Sequence, residues 1–536
     1  MEENENLEQV PSNEEPALPA ASADAAVIND EETPVKVEQP NNDGINHTRS
    51  AYAANPLTYS IGFILFLDFM ERFAFNGVIF TMPGYLTGYY EPHWNPNFAL
   101  FQANSYIATS QGIGGERRFS IKTIETWHAH TIFPLGFGAA KTLYGVYAAK
   151  QYDPINHSEQ IERFFVLFTG IEFIGSFVGA LISIVISDEL KVDEGSANGL
   201  VIAEFINSGA VIFGLFIFLV GSARYVNDKL MRKTYAQMIR SFIEAMLCFG
   251  GNGNGCASPG FAKTKETKGG RIPDAVVEGM VQIILLFVVF LLVIPINVAF
   301  TQAVVVNITT CAFMKGFGPF KGPLLVSTAF LFIGVWAFSI KKFISPFLQR
   351  KQIKLSIADR FALGSFFLGC SYAVAAIVNH RVIHVYLESG SQINIFWGLI
   401  GTFLAGGIAF HFSAMNEIAF TVAPAELKML GTAVMLFMSQ GIPNLLGAIL
   451  YHACIPWFRD SEGNKIRTIQ QYTESNSINF TYLMMGLSFL NTLIMFVPPI
   501  KRWIRRVEEK SIANNTARAQ GEACGTPNVG DDHLNE

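Results

Sequence analysis

Charged residues are scarce in this sequence of 536 residues. Only 15% of them are Asp, Glu, Lys or Arg, whereas 50% are hydrophobic and 47 are phenylalanine. A soluble globular chain normally carries about 25% charged residues, which cover its surface. The scarcity of charge therefore argues against a soluble protein and indicates a chain whose surface largely faces lipid.

Clustered cysteines and common catalytic motifs are also absent. Six cysteines are scattered along the chain and predict neither a disulfide framework nor a metal site (positions 248, 256, 311, 370, 454 and 524). The sequence has no nucleotide-binding loop, no HExxH motif and no motif for a Ser or Cys nucleophile. The run GNGNG at 251–255 lacks the strand and helix that flank a phosphate-binding loop. We therefore expect no enzymatic activity, no cofactor and no nucleic-acid partner.

Long apolar runs are what the chain does contain. Many reach about 20 residues, the length that crosses the hydrocarbon core of a bilayer. We predict about eleven spans, near 57–82, 97–115, 131–149, 163–187, 199–222, 279–305, 322–346, 360–379, 392–422, 428–452 and 479–499. The pattern predicts an all-α, multi-pass integral protein of the plasma membrane or an organellar membrane, in contact with the lipid bilayer.

The few charges are concentrated between and beyond these runs. Residues 1–50 hold about a dozen acids, two bases and little apolar material, which predicts a disordered acidic tail. The segment 223–278 and the start of the tail 501–536 are basic, so both are expected in the cytoplasm. The basic linker then joins an incomplete N-terminal helical bundle (57–222) to a C-terminal bundle (279–500), with both chain termini cytoplasmic.

The predicted sidedness contains one inconsistency. The links 114–125 and 150–163 are both expected in the cytoplasm, so an even number of spans must separate them. Only one apolar stretch of adequate length, near 131–149, lies between them. Either one span is missing, or a short re-entrant element lies here, or one basic loop does not follow the charge rule.

Three motifs resemble the proton-coupled oligopeptide transporter (POT) family of the major facilitator superfamily. DFMERFAFNG (68–77) resembles the first-helix signature ExxERFxYYG, and GAAKTLYGVYAAKQYDP…EQIERFF (138–165) resembles the fourth-helix GGIKPxVSAFGADQF and the loop after it. NEIAFTVAPAELKML (416–430) is similar to the tenth-helix LEFAYSQAPxxMKS. The resemblance implies a two-bundle fold of twelve helices. Against that pattern most of the third helix is missing, which indicates a mispredicted exon or a shortened protein.

The first motif places three charges inside a predicted span. Asp68, Glu71 and Arg72 stand at positions i, i+3 and i+4 and so share one face of a helix. Charges in hydrocarbon are costly, so they pair with each other or line a wet cavity. Carboxylates beside a guanidinium can hold an extra proton and release it when their access to water changes. The resemblance implies proton coupling by this cluster, and a buried ion network that only packs helices is the alternative.

The other two motifs each add one charge. Lys141 matches the fourth-helix lysine of the family, with the first-helix acids or a substrate carboxylate as its expected partners. The alternative is a lysine that snorkels to the membrane interface. Glu417 aligns with the tenth-helix glutamate, which the resemblance implies receives the amino terminus of a peptide, whereas an interhelical hydrogen bond is the alternative. A cation and an anion on opposite halves suit a zwitterion.

Several positions that hold a peptide in the family differ here. Phe75 and Asn76 replace the two tyrosines of the first motif, and Glu172 and Phe173 stand where the fifth helix of the family has Ile and Asn. Gln302 in the seventh helix is retained. Affinity for ordinary di- and tripeptides is therefore expected to be altered. The predicted substrate-binding set is Lys141, Glu417, Phe75, Asn76 and Gln302.

Four further intramembrane positions match no functional residue of the family. Glu172 and Glu204 either add a second proton site, replace a lost contact or face a polar seam between helices, and we favour the seam for Glu204. His411 lies six residues before Glu417, so the two are expected on different faces and His411 is expected to be a packing residue. Pro443 predicts a bend.

Together these patterns predict a proton-coupled secondary transporter of small peptides, or of related zwitterionic or anionic solutes, that works by alternating access. The proton is the coupling ion. The alternative is a degenerate relative that does not transport, either a nutrient sensor or the inactive product of a faulty gene model.

Overall fold

A computed structural model describes most of the apolar chain. The described residues are 56–84, 140–152, 158–189, 198–226, 265–269, 273–316, 321–424, 427–464, 466 and 468–523. All of them belong to one compact unit, Thr48–Glu536. The predicted acidic tail, the predicted span near 97–115, the expected gap in the third helix and most of the basic linker lie outside the described residues.

Sixteen α-helices are numbered here in chain order. They are α1 (Gly62–Gly84), α2 (140–149), α3 (Ser158–Glu189), α4 (Asn198–Val220), α5 (Asp274–Leu292), α6 (Ile294–Ala312), α7 (Lys321–Ser339), α8 (Ser345–Arg350), α9 (Ile357–Ser389), α10 (Phe396–Ala405), α11 (Ala409–Val422), α12 (Lys428–Leu436), α13 (Ile442–Ala453), α14 (Ile469–Glu474), α15 (Ile478–Phe496) and α16 (Pro498–Ala523).

The described residues confirm the all-α, multi-pass character that the apolar runs predict. They contain no named strand, and the β contact among them is an isolated bridge between Lys315 and Asn394. Eight helical segments within this part of the chain are long and apolar enough to cross a membrane: Arg163–Ser187, Val201–Val220, Ile294–Ala312, Leu324–Arg350, Ile357–Ser389, Phe396–Val422, Lys428–Ala453 and Ile478–Phe496. Helix α1 has 23 residues but carries three charges in its middle.

The prediction of one helix near 279–305 is wrong. Two helices, α5 and α6, lie here and are separated at Val293. Pro295 stands in the first turn of α6, where its missing N–H is tolerated, whereas inside a continuous helix its ring collides with the preceding turn. The chain therefore ends one helix and begins another within the predicted span.

Three other predicted spans are continuous but locally distorted. A π-helical segment, Ile340–Ile344, joins α7 to α8, and a 3₁₀ turn, Gly406–Ile408, joins α10 to α11. A second π-helical segment, Phe437–Gly441, lies directly before α13, in whose first turn Pro443 stands. This segment lies where the sequence predicts a bend, and Pro443 cannot donate a hydrogen bond to the carbonyl four residues earlier.

Helices α1, α3 and α4 form the described core of the N-terminal group. Helix α3 approaches α1 closely, because a Cβ at Gly175 would lie 2.7 Å from the carbonyl oxygen of Phe69, and a Cβ at Gly179 would overlap the carbonyl oxygen of Phe73. The two glycines are four residues apart, the spacing that lets membrane helices bring their backbones together. This contact fixes which residues of α3 face α1.

Helices α5–α16 form the C-terminal group. Helix α9 packs along α15, and α6 packs on α7, α13 and α15. Buried polar side chains link these helices, as in the hydrogen bond of 2.7 Å that Asn491 donates to Ser365 and the 2.6 Å bond that Tyr472 donates to Asn379. Interhelical hydrogen bonds of this kind hold membrane helices in register.

Helix α3 also joins the two groups, since it packs against both α7 and α11. Three side chains one turn apart on α3 meet three on α11 in reverse order, so the two helices run antiparallel. The contacts are the Phe165 and Phe420 rings with centroids 5.4 Å apart, the 3.3 Å hydrogen bond from Asn416 to Thr169, and the Phe173 and Phe412 rings at 5.3 Å. We call these six residues the α3–α11 contact line.

Candidate functional site

Five charged side chains come together inside the N-terminal group. All are buried, with no more than 7% of any residue exposed. Helix α1 supplies three of them, α2 supplies one and α3 supplies one, so three helices converge here. We call Asp68, Glu71, Arg72, Lys141 and Glu172 the N-terminal charge cluster.

Glu172 is the central member of this cluster. Its Oε1 atom contacts both the Lys141 ammonium and the Arg72 guanidinium. The Lys141 ammonium also lies over the ring of Phe168, 5.5 Å from its centroid. Since Phe168 stands one turn before Glu172, α3 provides both the carboxylate and the aromatic face that hold Lys141.

The expectation that the first-helix acids pair with Lys141 is wrong for this structure. The ion pair that Lys141 forms is with Glu172. Close packing of α1 and α3 at Gly175 explains this, because it brings Glu172, three residues earlier on α3, level with Arg72. The carboxylate of α3 thereby takes the position that the sequence assigns to α1.

The two acids of α1 are placed differently. Both carboxylate oxygens of Asp68 and of Glu71 are buried without a hydrogen-bond donor among the described residues. Glu71 Oε2 lies 3.9 Å from Arg72 Nε, at the limit of an ion pair. With every group ionised, three carboxylates face two cations, so the cluster carries one negative charge in excess. A buried excess charge is costly, and uptake of one proton removes it.

Glu417 in the C-terminal group has a charge partner of its own. Its Oε2 accepts a hydrogen bond of 2.6 Å from Arg360 Nη1, and both side chains are buried. We call Arg360 and Glu417 the C-terminal ion pair. Its charges balance, in contrast to those of the N-terminal charge cluster.

Sequence reasoning did not single out Arg360, which stands at the first residue of the predicted span near 360–379. In the structure α9 begins at Ile357, after a capping box in which Ser356 and Asp359 bond to each other's backbone N–H. Asp359 pairs with Lys501 of α16, while Arg360 turns into the group. The S-x-x-D pattern of residues 356–359 is a signal that could have located this helix start.

The remaining predicted substrate-binding residues lie among packed helices. Asn76 donates hydrogen bonds to Ser176 Oγ at 2.9 Å and to the backbone carbonyl of Arg72 at 3.2 Å, and Phe75 is buried. Gln302 is fully buried, and its amide lies against Gly447 of α13. Asn76 therefore lies one turn from the N-terminal charge cluster, whereas Gln302 packs between α6 and α13.

Glu204 and His411 take part in packing contacts. Glu204 accepts a hydrogen bond of 3.4 Å from Thr81, and Ser183 donates one of 3.1 Å to Asn207, which forms a polar seam between α1, α3 and α4 as expected. The fully buried His411 lies 3.0 Å from Asn297 Oδ1. His411 thus contacts α6, while Glu417 contacts α9, so the two side chains act separately.

Two of the three comparisons with known proteins give matches. The sequence model of the POT family (PTR2) matches residues 275–492. No curated protein sequence matches the chain significantly. The crystal structure of an auto-inhibited POT family peptide transporter aligns with a TM-score of 0.56 and 17% identity, over 83% of this chain and 96% of that chain.

Two further solved structures give the same result. The POT family transporter PepTSo aligns with a TM-score of 0.56 and 16% identity, covering 84% of this chain and 98% of that one. A POT family transporter in complex with 5-aminolevulinic acid aligns with a TM-score of 0.52 and 15% identity, covering 83% and 96%. At these identities the likeness shows the fold.

The fold is therefore the major-facilitator-like two-bundle fold of secondary transporters, as predicted. The predicted resemblance to the POT family is confirmed by the match over residues 275–492 together with this fold. The matched residues run from the start of α5 into α15 and include the C-terminal ion pair.

Proposed function

We propose that this protein is a proton-coupled secondary transporter of small peptides or of related zwitterionic or anionic solutes, working by alternating access. The POT family match and the shared fold support a transport role and not an enzymatic one. Two structural relatives were crystallised with 5-aminolevulinic acid and with a thioalcohol-conjugated peptide, which supports peptide-like solutes as substrates.

One observation carries the proton-coupling part of the proposal. The N-terminal charge cluster is buried and holds one carboxylate more than it holds cations. A proton taken up by Asp68 or Glu71 neutralises this excess. When the conformation changes and water reaches the cluster from the other side of the membrane, the hydrated carboxylate releases the proton. Asp68, Glu71, Arg72 and Lys141 are the proposed proton-coupling residues.

The substrate lies, in this proposal, between the two groups of helices, where transporter sites of this architecture are found. Lys141 and Glu417 face the charged ends of the solute, and Phe75, Asn76 and Gln302 contribute to its binding. The α3–α11 contact line must open in one half of the cycle, because it joins the two groups. The basic linker and tail support a cytoplasmic position for both chain termini.

A non-transporting relative, such as a nutrient sensor, is the second candidate. The observation that favours it is the internal pairing of both expected substrate contacts, since Lys141 is held by Glu172 and Glu417 by Arg360. A protein in which these pairs never open binds no zwitterion between its halves.

Uptake into proteoliposomes separates the two candidates. We expect labelled dialanine to accumulate against its gradient when the outside is acidic, and a protonophore to abolish the accumulation. Glu71→Gln removes one acid of the cluster and should abolish gradient-driven accumulation while leaving exchange of labelled for unlabelled dialanine. The matched control is Glu204→Gln, which removes another intramembrane acid of the N-terminal group. Wild-type protein that neither binds dialanine nor takes it up would support the non-transporting relative.

A further inference from the structure

The carboxylate of Glu172 lies where a transporter of this kind needs a substrate carboxylate to lie. One oxygen of Glu172 contacts Lys141 and Arg72 together, the two cations of the N-terminal charge cluster. A carboxylate between an ammonium and a guanidinium makes charge-assisted hydrogen bonds, which are about twice as strong as neutral ones. A second carboxylate that binds these cations must therefore share them with Glu172, against the repulsion of its charge.

The backbone of α3 is held on both sides of Glu172. On one side, α3 is held against α1 at Gly175 and Gly179, where the two backbones are in direct contact. On the other side, the neighbouring Phe173 packs against Phe330 and Phe412 of the C-terminal group, with ring centroids 5.6 and 5.3 Å apart. The Cα atom of Glu172 thus stays beside the cations as long as the two groups remain in contact along α3.

We propose that Glu172 is an internal carboxylate that competes with the carboxylate of the substrate for Lys141 and Arg72, and that a substrate carboxylate binds there only after Glu172 has taken up a proton. The inference rests on the proposed function. The inference names, in addition, the residue that decides whether a carboxylate-bearing solute can bind.

The charge balance of the cluster supports this order of events. With Glu172 ionised, an incoming carboxylate raises the negative excess from one charge to two in a buried site, which is strongly unfavourable. A proton on Glu172 keeps the excess at one and frees a binding position on each cation. A second proton, on Asp68 or Glu71, makes the occupied cluster neutral. Each carboxylate-bearing solute is therefore accompanied by more than one proton.

A pair of probes that differ only in the carboxylate tests this assignment. Dialanine has a carboxylate, whereas dialanine amide has the same side chains and amino group without it. Dissociation constants of both are measured by calorimetry on the purified full-length protein, at a higher and a lower pH. The variants are Glu172→Gln, Glu172→Asp and, as a matched control, Glu204→Gln.

The expected result is specific to the carboxylate. Wild-type protein binds dialanine more tightly at the lower pH. Glu172→Gln binds dialanine about tenfold more tightly at the higher pH, because the competing charge is gone, and loses most of the pH dependence. Its affinity for dialanine amide changes little, and Glu204→Gln behaves as wild type. Glu172→Asp, whose side chain is one methylene shorter, shows a smaller gain in affinity for dialanine. This variant supplies the test if Glu172→Gln does not fold.

The contrary outcomes are distinct. If Glu172→Gln or Glu172→Asp binds dialanine no more tightly than wild type, or tightens both probes equally, the competition is refuted while the proposed function stands. If wild-type protein and every variant bind neither probe at either pH, the proposed peptide transport fails, and the inference fails with it.

Discussion

The two halves of the described molecule hold their buried charges in different proportions. In the N-terminal charge cluster three carboxylates meet two cations, whereas in the C-terminal ion pair one carboxylate meets one guanidinium. Both sets are buried, where an uncompensated charge is costly. A balanced pair gains nothing from a proton, but a cluster with an excess carboxylate does. In the proposed function, this difference assigns the proton-sensitive step to the N-terminal half.

The same packing device positions both sets of charges. Glycines of α3 bring that helix against the backbone of α1, and in the C-terminal half a Cβ at Gly364 of α9 would lie 2.6 Å from the Cβ of His411 on α11. Small residues at a helix contact let the backbones approach and bring flanking side chains together. The difference between the halves therefore comes from the number of charges at each contact and not from the way the helices pack.

The largest effect on stability is expected when the balanced pair is broken. Arg360→Met leaves Glu417 as an unpaired buried carboxylate, which should lower the free energy of unfolding in detergent by about 3–5 kcal/mol at neutral pH. Equilibrium unfolding monitored by circular dichroism measures the change.

A double variant provides the control for this prediction. Arg360→Met combined with Glu417→Gln removes both charges, so it should recover most of the stability that the single variant loses. If the single and the double variant are equally unstable, the loss comes from packing of the Arg360 side chain. The C-terminal ion pair would then not be the balanced counterpart of the N-terminal charge cluster.

The next largest effect is expected at the close contact that assembles the N-terminal charge cluster. Gly179→Ala places a methyl group on the carbonyl oxygen of Phe73, so α1 and α3 must separate, at a cost of about 1–3 kcal/mol. Gly209→Ala on α4 is the control, because a Cβ there meets no atom within 4 Å. Equal stability of both variants, measured by the same unfolding experiment, would contradict the close approach of α1 and α3.

These contacts show which parts of the site the sequence could predict. The residues Asp68, Glu71 and Arg72 were found because charges are conspicuous within an apolar run and because their spacing places them on one helical face. Lys141 and Glu417 were found through their motifs. The helices themselves followed from run length, except at Val293, where the consequence of Pro295 for a long apolar run was overlooked.

The ion-pair partners could not be predicted in the same way. Whether Lys141 pairs with an acid of α1 or of α3 depends on how closely the two helices pack. The positions of the charges in the sequence do not give this distance. Arg360 stands at the first residue of a predicted span, where the boundary is uncertain by a few residues and one turn separates a solvated arginine from a buried one. In both cases the missing information is how the helices are placed relative to each other. Glycines at helix contacts and capping residues at helix starts determine this placement more than the charges do.

A smaller effect is expected at the α3–α11 contact line, which joins the two halves. Phe173→Ala removes ring contacts with Phe330 and Phe412 and should weaken the closed arrangement by about 1–2 kcal/mol. Cysteines introduced at Thr169 and Asn416 in a protein without its native cysteines report this closure. Their disulfide cross-linking rate should fall severalfold when Phe173→Ala is added.

The control for the contact line lies outside it. The ring of Phe366 packs within the C-terminal half, against Phe367 and Phe489, so Phe366→Ala should leave the cross-linking rate unchanged. A rate that does not respond to Phe173→Ala would show that closure depends on other contacts of α3. The position of Glu172 would then be independent of the state of the two halves.

The smallest effect on stability is expected where the charges are in excess, and it gives the sharpest test of the comparison. Asp68→Asn removes one of three carboxylates and leaves two carboxylates with two cations, so the free energy of unfolding should change by less than about 1 kcal/mol or increase slightly at neutral pH. Proton-driven accumulation of dialanine should nevertheless be lost, because the balanced cluster no longer requires the proton. A stability loss as large as that of Arg360→Met would contradict the negative excess of the N-terminal charge cluster. It would mean that Asp68 compensates a cation outside the five residues of the cluster.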